Sequence, residues 1–224
     1  MQRSINRLIN GLKWPVAVLT LFMLPGATSA LGPVFAVLLD FPERTGPFVS
    51  GFIMYTLGWW FIFRKRSAGA YLSTLEHELT HALFALLTFH KVTGIKTSWS
   101  GKGSMHFQGG GNWLIMVAPY FVPTVSLAVM ALMFFMDGGN AHALQVLLGA
   151  TVCYHATSTW NETHRHQTDL QGVGFLFALL FLPAANVLSY GLILSVVVGG
   201  WPEGGAYLMA VLSSTWELAA NLFR

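Results

Sequence analysis

Long apolar segments alternate with short polar stretches along most of the chain. Seven segments show this pattern, at residues 14–39, 46–63, 68–90, 112–136, 142–157, 170–198 and 206–223. A helix of about 20 apolar residues crosses the roughly 30 Å hydrocarbon core of a bilayer. Some of the segments are short or are interrupted by proline. The pattern therefore predicts an all-α polytopic membrane protein with six or seven transmembrane helices, folded as a single domain over residues 1–224.

The stretch from 92 to 108 has a different period from the apolar segments on either side of it. Ile95, Thr97 and Trp99 alternate with polar side chains, and the same alternation returns at Met105 and Phe107. Glycines lie between the two runs. Alternation with a period of two, interrupted by glycine, predicts a short β-hairpin directly after the third segment.

The composition places the chain in a membrane. Of its 224 residues, 54% are hydrophobic and only 9% are charged, which excludes an ordinary soluble domain. The net charge of +3 does not indicate nucleic-acid binding, because Arg3, Arg7, Lys13 and the run 64–66 flank apolar segments. This arrangement is typical of the positive-inside rule. We expect a lipid bilayer as the surroundings and no nucleic-acid partner.

The first segment has a second interpretation. A basic start, an apolar run to Leu24 and small residues at 27–30 resemble a cleavable signal peptide. Apolar sequence resumes at Leu31, which favours a retained transmembrane helix.

The third segment contains the sequence H-E-x-x-H, formed by His77, Glu78 and His81. Residues four apart lie on the same face of a helix, so both histidines can reach one metal ion. Zn²⁺ with three protein ligands keeps an open position for water and lowers the pKa of that water to about 7. A neighbouring carboxylate can then take the proton as the water attacks a carbonyl. We therefore predict zinc as the cofactor, His77 and His81 as ligands and Glu78 as the general base.

The number of ionisable groups in this segment strengthens that hypothesis. Glu76, His77, Glu78 and His81 lie within six residues of an otherwise apolar helix. A charged side chain at the centre of a membrane helix costs about 2.5–3.5 kcal/mol on insertion scales. Such groups need a compensating partner, and a bound dication would supply one.

The aspartates provide the first candidate for a third ligand. The chain has three of them, and Asp40 and Asp137 lie at segment ends, where exposure to solvent explains them. Asp169 instead opens the long sixth apolar segment. Asp169 is therefore the predicted third ligand.

Glu162 is the alternative third ligand, because other H-E-x-x-H peptidases use a distant glutamate. If a helix begins near Asn161, then Glu162, His166 and Asp169 share one face at spacings of four and three. Metal ligands are usually held in place by outer hydrogen bonds. His166 and Asn161 are candidates for that role.

His77, Glu78 and His81 in a transmembrane helix, a short hairpin after it and a later membrane aspartate resemble the site-2 protease family. The resemblance covers about residues 68–182, the expected core of the domain. It implies hydrolysis of peptide bonds within or next to a membrane, with a membrane protein as substrate. We expect a multi-pass protein of a bacterial inner membrane. The family usually presents its third ligand in a leucine-aspartate-glycine context, whereas this chain has Thr168, Asp169 and Leu170.

The predicted hairpin suggests how a substrate is held. A helical transmembrane substrate hides its carbonyls in hydrogen bonds, so a protease has to bind a short stretch in extended form. An exposed strand edge does this through main-chain hydrogen bonds. Ile95, Thr97 and Trp99 are the expected substrate contacts. The alternative is a hairpin that only connects two segments.

A second class of function also uses these residues. A non-catalytic membrane protein, either a transporter or a scaffold, can retain a metal site of this kind. A transporter is expected to show two related halves with paired broken segments, and the sequence shows no such repeat. The protease is therefore the favoured hypothesis.

The predicted topology contains one conflict. If the later helix begins near Asn161, His77 and Asp169 both lie several residues into their helices, so they meet only if those helices run parallel, which requires an odd number of crossings between them. Two predicted segments lie between them. Either one of the two crosses incompletely, or the hairpin region enters and leaves the membrane; Pro119 and Pro123 favour an incomplete fourth segment.

Overall fold

A computed structural model describes residues 2–65, 67–136, 141–164 and 166–222. In chain order these form α1 (Gln2–Gly11), α2 (Lys13–Asp40), α3 (Pro42–Phe61), α4 (Ser67–Leu87), β1 (Val92–Thr97), β2 (Gly103–Phe107), α5 (Trp113–Val117), α6 (Thr124–Phe135), α7 (Ala141–Glu162), α8 (Thr168–Val173) and α9 (Phe175–Leu222). Short 3-10 turns occupy Phe63–Lys65 and Ala118–Tyr120. The predicted helical fold with one small hairpin is confirmed.

Fewer helices than expected are long and apolar enough to cross a membrane. Within the described residues two helices, α2 and α9, meet this condition. A third span is added if the bent pair of α5 and α6 counts as one. By helix length and hydropathy, the described residues therefore contain two or three candidate spans instead of the expected six or seven. Polar side chains lower the hydropathy of α4 and α7, and α9 combines the last two predicted segments in one kinked helix. The kink lies at Gly200, whose φ of 73° is outside the helical region.

Two pairs of long helices provide much of the packing. α2 lies along α9, and α3 lies along α7. A buried cluster joins α5, α8 and α9, and its larger members are Trp113, Val117, Tyr120, Leu170, Val173, Phe177, Phe181 and Leu182. This cluster fixes the backbone beside Tyr120 and Asp169.

The fourth predicted segment is interrupted, as the topology required. Trp113–Tyr120 and Thr124–Phe135 are bent by 78° relative to each other; Pro119 lies in the last turn before the break, and Pro123 lies in the break itself. The free backbone groups at the break find partners on other helices. The Val125 amide donates to Glu76 Oε1 (3.3 Å), and Asn186 Nδ2 donates to the Tyr120 carbonyl oxygen (2.9 Å). Irregular backbone in an apolar interior requires such partners.

The region before Asp169 is not one continuous helix. α7 ends at Glu162, a turn follows, and Gly174 with a φ of 87° separates α8 from α9. The prediction that Glu162, His166 and Asp169 share one helix face is therefore wrong. The turn allows Glu162 and Asp169 to approach α4 from different directions.

The hairpin lies where the alternation predicts it. β1 and β2 are antiparallel, with Ile95 opposite Met105 and Thr97 opposite Gly103. Gly101, with a φ of 74°, allows the tight turn between them. Both strands contact α4. The hairpin is thus fixed to the helix that carries the H-E-x-x-H sequence.

α3 and α7 approach so closely that their contact requires two glycines. A Cβ added at Gly149 would lie 1.9 Å from the Phe48 carbonyl oxygen, and one at Gly51 would lie 1.8 Å from the Val146 oxygen. Small residues that allow backbones to touch are a common basis of helix association in membranes. The α3–α7 pair is therefore sensitive to a single added methyl group.

We expect Gly149→Ala to force α3 and α7 apart and to lower stability by about 1–3 kcal/mol, the usual range for overpacking. Thermal unfolding of the detergent-solubilised protein measures the effect. Gly46→Ala on α3 is the matched control, because a Cβ there meets no atom within 4 Å. Equal melting temperatures for the two variants would contradict the close contact.

Candidate metal centre

His77 and His81 lie one turn apart on α4, and Asp169 in the first turn of α8 faces both. The centroids of the two imidazole rings are 4.6 Å apart. Asp169 Oδ2 is 3.4 Å from His77 Nε2 and 3.3 Å from His81 Nε2. One ligand atom from each residue lies within 4.8 Å of the other two, so the three residues could hold a single metal ion.

The second nitrogen of each ring is occupied by another group. His81 Nδ1 lies 2.7 Å from the Ile115 carbonyl oxygen, an acceptor that requires a proton on Nδ1. His77 Nδ1 lies 2.5 Å from Glu162 Oε2. A histidine that donates from Nδ1 presents the lone pair of Nε2, the form in which it binds a metal. Both rings therefore turn their free nitrogen toward Asp169.

This set of donor atoms fits zinc. Two imidazole nitrogens and one carboxylate oxygen are ligands that catalytic zinc sites use, with a fourth position left open. The side chains of His77, His81 and Asp169 are 10%, 8% and 25% exposed, so the group is shielded but reachable. Cys153, the single cysteine, contacts Thr56 Oγ1 instead (3.2 Å).

Asp169 is held in its ionised form. It belongs to α8, a helix of six residues that is too short to span a membrane. Burial by itself would raise the pKa of this carboxyl, but without a metal the Nε2 protons of His77 and His81 in their charged form donate to it, which outweighs burial and lowers the pKa. A bound metal would take the place of those two protons. The Tyr120 hydroxyl donates to the same Asp169 Oδ2 at a similar distance (3.4 Å), and the Tyr120 ring packs edge-on against His77. An ionised carboxylate is the form that binds a cation.

Glu162, the alternative third ligand, lies on the other side of His77. Its Oε2 contacts His77 Nδ1, and its Oε1 accepts a hydrogen bond from Ser73 Oγ. Ser73 Oγ is in turn 2.5 Å from Ser158 Oγ. A carboxylate on the Nδ1 side orients a metal-binding histidine. This geometry favours Asp169 over Glu162 as the third ligand.

An open cavity of about 440 Å³ adjoins the three residues. Glu78 lines it from α4, and β2 lines it with Gly103, Ser104, Met105 and Phe107. A Cβ at Gly103 would lie 2.6 Å from Glu78 Oε1, so β2 rests directly against the carboxylate. Glu78 thus shares one polar space with His77, His81 and Asp169 and with one strand of the hairpin.

Other predicted residues lie away from this group. Asn161 is exposed and lines a separate cavity, and His166 is exposed in the turn before α8. Asp40 is exposed at the end of α2, and Asp137 lies outside the described residues. The positions of Asn161 and His166 give no support to the prediction that they hold the ligands.

The substrate contacts predicted on β1 also lie off the cavity. Among the described residues that line it, none is Ile95, Thr97 or Trp99. Trp99 stacks on Tyr71 instead, with 4.5 Å between the ring centroids. β2 occupies the position that was expected for β1.

Several contacts at the site were not found from the sequence. Ile115 acts through its main-chain carbonyl, which is free because Pro119, four residues later, has no N–H. Ser73 of α4 and Ser158 of α7 contact each other, and Ser73 donates to Glu162, because the two helices lie close together at this point. Tyr120 follows Pro119 at the interruption of the fourth segment. Pro119 is thus the one signal that could have indicated both Ile115 and Tyr120.

The fold and the site indicate a class of protein, the membrane metallopeptidases. Residues 52–203 match the family model described as Peptidase M50B-like. The chain therefore belongs to this family, the site-2 protease family of zinc-dependent membrane metallopeptidases. No curated protein and no solved structure matches the chain. The predicted resemblance is confirmed, and the match extends beyond residues 68–182 at both ends.

We expect the purified protein to hold about one zinc ion per chain, and His77→Ala or His81→Ala to remove it. Asp169→Ala should have a similarly strong effect, whereas Glu162→Ala should weaken binding only about 10- to 100-fold, as for other residues that orient a ligand. Competition with a chelator measures each dissociation constant. A larger loss for Glu162→Ala than for Asp169→Ala would assign the third ligand to Glu162.

Proposed function

We propose that this protein is an intramembrane zinc metalloprotease that hydrolyses peptide bonds of membrane-embedded or membrane-tethered proteins. His77, His81 and Asp169 are the proposed zinc ligands. The observation that best supports this is the orientation of the two histidines. Each Nδ1 has a hydrogen-bond partner, and each Nε2 faces the same oxygen of Asp169. Membership of the family supports the peptidase activity.

We also place α3 and α4 in the membrane together with α2 and α9, in the inner membrane of a bacterium. Both helices expose large apolar side chains: Phe52, Ile53, Met54 and Leu57 on α3, and Leu72, Leu79, Leu83 and Leu86 on α4. Exposed apolar surface of this extent is unusual on a soluble protein and suits contact with lipid. The polar residues of α4 face the protein interior, where ionisable groups of a membrane helix are expected.

Glu78 is the proposed general base. When bound, zinc supplies Lewis acidity to water and to the substrate carbonyl. Glu78 follows His77 in the chain and lines the cavity beside the proposed ligands, so it can take a proton from the attacking water. The same carboxyl can then give that proton to the leaving amine. Contact with β2 at Gly103 limits where the carboxylate can move.

The outer edge of β2 is the proposed binding site for the substrate backbone. Ser98 N–H donates to the Lys102 carbonyl oxygen (2.9 Å), so these two residues form a hydrogen-bonded pair. Hydrogen-bonded and non-hydrogen-bonded pairs alternate along an antiparallel ladder. Ile95 and Met105 therefore form a non-hydrogen-bonded pair, and their N–H groups point away from each other. The Met105 edge adjoins the cavity.

We expect Glu78→Gln to retain zinc but to lose cleavage by about 100-fold or more, because an amide cannot accept the proton. Zinc analysis and turnover of a membrane-tethered reporter measure the two effects separately. Glu217→Gln, the same change at an exposed position on α9, is the matched control and should cleave normally.

Unchanged turnover by the Glu78→Gln variant would reject Glu78 as the base. If the wild-type protein binds zinc but cleaves no membrane protein, the non-catalytic transporter or scaffold would be the better description.

We expect Met105→Pro to lower cleavage about 10-fold, the equivalent of one main-chain hydrogen bond to the substrate. Proline there removes an outward N–H and leaves the β1–β2 ladder intact. Ile95→Pro is the matched control, because it removes the outward N–H of the opposite edge. Zinc content should be normal in both variants. Lost cleavage in Ile95→Pro alone would assign the substrate to β1, as predicted from Ile95, Thr97 and Trp99.

A further inference from the structure

The first helix binds the loop that leads into the metal centre. Gln2, Asn6 and Asn10 are spaced four residues apart on α1 and lie on one face of it. Gln2 Nε2 donates to the Gln108 carbonyl oxygen (2.7 Å), and Asn10 Oδ1 accepts from the Trp113 amide (3.1 Å). α1 therefore docks on the segment between β2 and α5 through side-chain amides.

Asn6 makes the central contact of this face, with Asn112. Asn112 Nδ2 donates to Asn6 Oδ1 (2.9 Å), and Asn6 Nδ2 donates to the Gly110 carbonyl oxygen. Asn112 is only 2% exposed and is also the N-cap of α5, since its Oδ1 accepts the Ile115 amide (3.1 Å). One buried side chain thus joins α1 to the start of α5.

The middle of α5 contacts a proposed metal ligand. Ile115, whose amide is capped by Asn112, accepts a hydrogen bond from His81 Nδ1 through its carbonyl oxygen (2.7 Å). α5 has five residues, and so short a helix is not stable without contacts from outside it. The contacts of Asn112 are therefore among those that fix where the Ile115 carbonyl points, together with the packing of Trp113 and Val117. A shift of α5 would turn the His81 ring and move its Nε2.

We propose that Asn6 and Asn112 are positioning residues for His81. They act through the Ile115 carbonyl and hold the ring so that Nε2 faces Asp169. The proposal rests on the proposed function in one respect, which is that His81 binds zinc. Residues that orient a metal-binding histidine typically change metal affinity about 10- to 100-fold when they are removed. Asn6 and Asn112 do not contact His81 directly but act through the Ile115 carbonyl. We therefore expect a change in metal affinity at the lower end of this range, about 10-fold.

The test compares zinc dissociation constants of full-length variants by competition with a chelator. Asn112→Ser keeps a capping oxygen but is too short to reach Asn6, and Asn6→Leu removes the partner from the other side. Each should weaken zinc binding about 10-fold. Gln2→Ala is the matched control, because Gln2 lies on the same helix face but contacts Gln108. Its affinity should stay within about twofold of the wild type, as for distant sites.

Two further measurements separate positioning from a general loss of stability. The double variant, Asn6→Leu with Asn112→Ser, should have the same zinc dissociation constant as the single variant that binds zinc less tightly. The two losses do not add, because both changes break the same contact. Cobalt(II) in place of zinc gives absorption bands that depend on ligand geometry. These bands should shift in both single variants and stay unchanged in Gln2→Ala.

Three outcomes would overturn the proposal: wild-type zinc affinity in both single variants, an equal loss in the Gln2→Ala control, or fully additive losses in the double variant. A wild-type protein that binds no zinc would instead refute the proposed function. The two failures are therefore distinguishable.

Discussion

Ionisable side chains in an apolar helix need partners inside the protein, and α4 has four of them within six residues. Different elements supply those partners. Glu76 accepts an amide of α6, His77 contacts a carboxylate at the end of α7, and His81 contacts a main-chain carbonyl of α5. Asp169 of α8 faces both histidines. The arrangement of α5 to α8 around α4 therefore satisfies Glu76, His77 and His81, while Glu78 lies against β2 at Gly103.

The same constraint explains why irregular backbone collects beside α4. In a continuous helix each carbonyl is bonded to the amide four residues later, and it has little to offer a histidine. Pro119 removes that amide for Ile115, and the carbonyl of Ile115 is then free for His81. The break that follows also places Tyr120 against His77 and Asp169. The interruption of the fourth segment is thus part of the site as well as of the topology.

The sequence predicted those features of the site that follow from a local period. His77, Glu78 and His81 have helical spacing, and the hairpin has strand alternation, so neither depends on distant parts of the chain. Features that depend on the direction of the chain after a break could not be predicted. The turn before α8 puts Glu162 and Asp169 on opposite nitrogens of His77, where a continuous helix would have put them on one face. Apolar and polar residues alternate in the same way in β1 and β2, so only the packing of the hairpin on α4 decides which strand lines the cavity. The number of spans is lower than expected because polar residues near the centres of α4 and α7 lower the mean hydropathy of these two helices.

β2, which forms one wall of the cavity, is fixed at both of its ends. At one end Gly103 lets β2 rest on Glu78, and at the other end α1 binds the segment that follows β2. A strand held in this way loses little further freedom when an extended chain pairs with it, and ordering is one of the main costs of binding. The helical substrate of the proposed reaction has to give up its own main-chain hydrogen bonds to become extended. Because the β2 edge is already in place, it can offset that loss with new main-chain hydrogen bonds. In the proposed reaction the conformational change is then confined to the substrate, while the proposed metal ligands and base keep the geometry that catalysis requires.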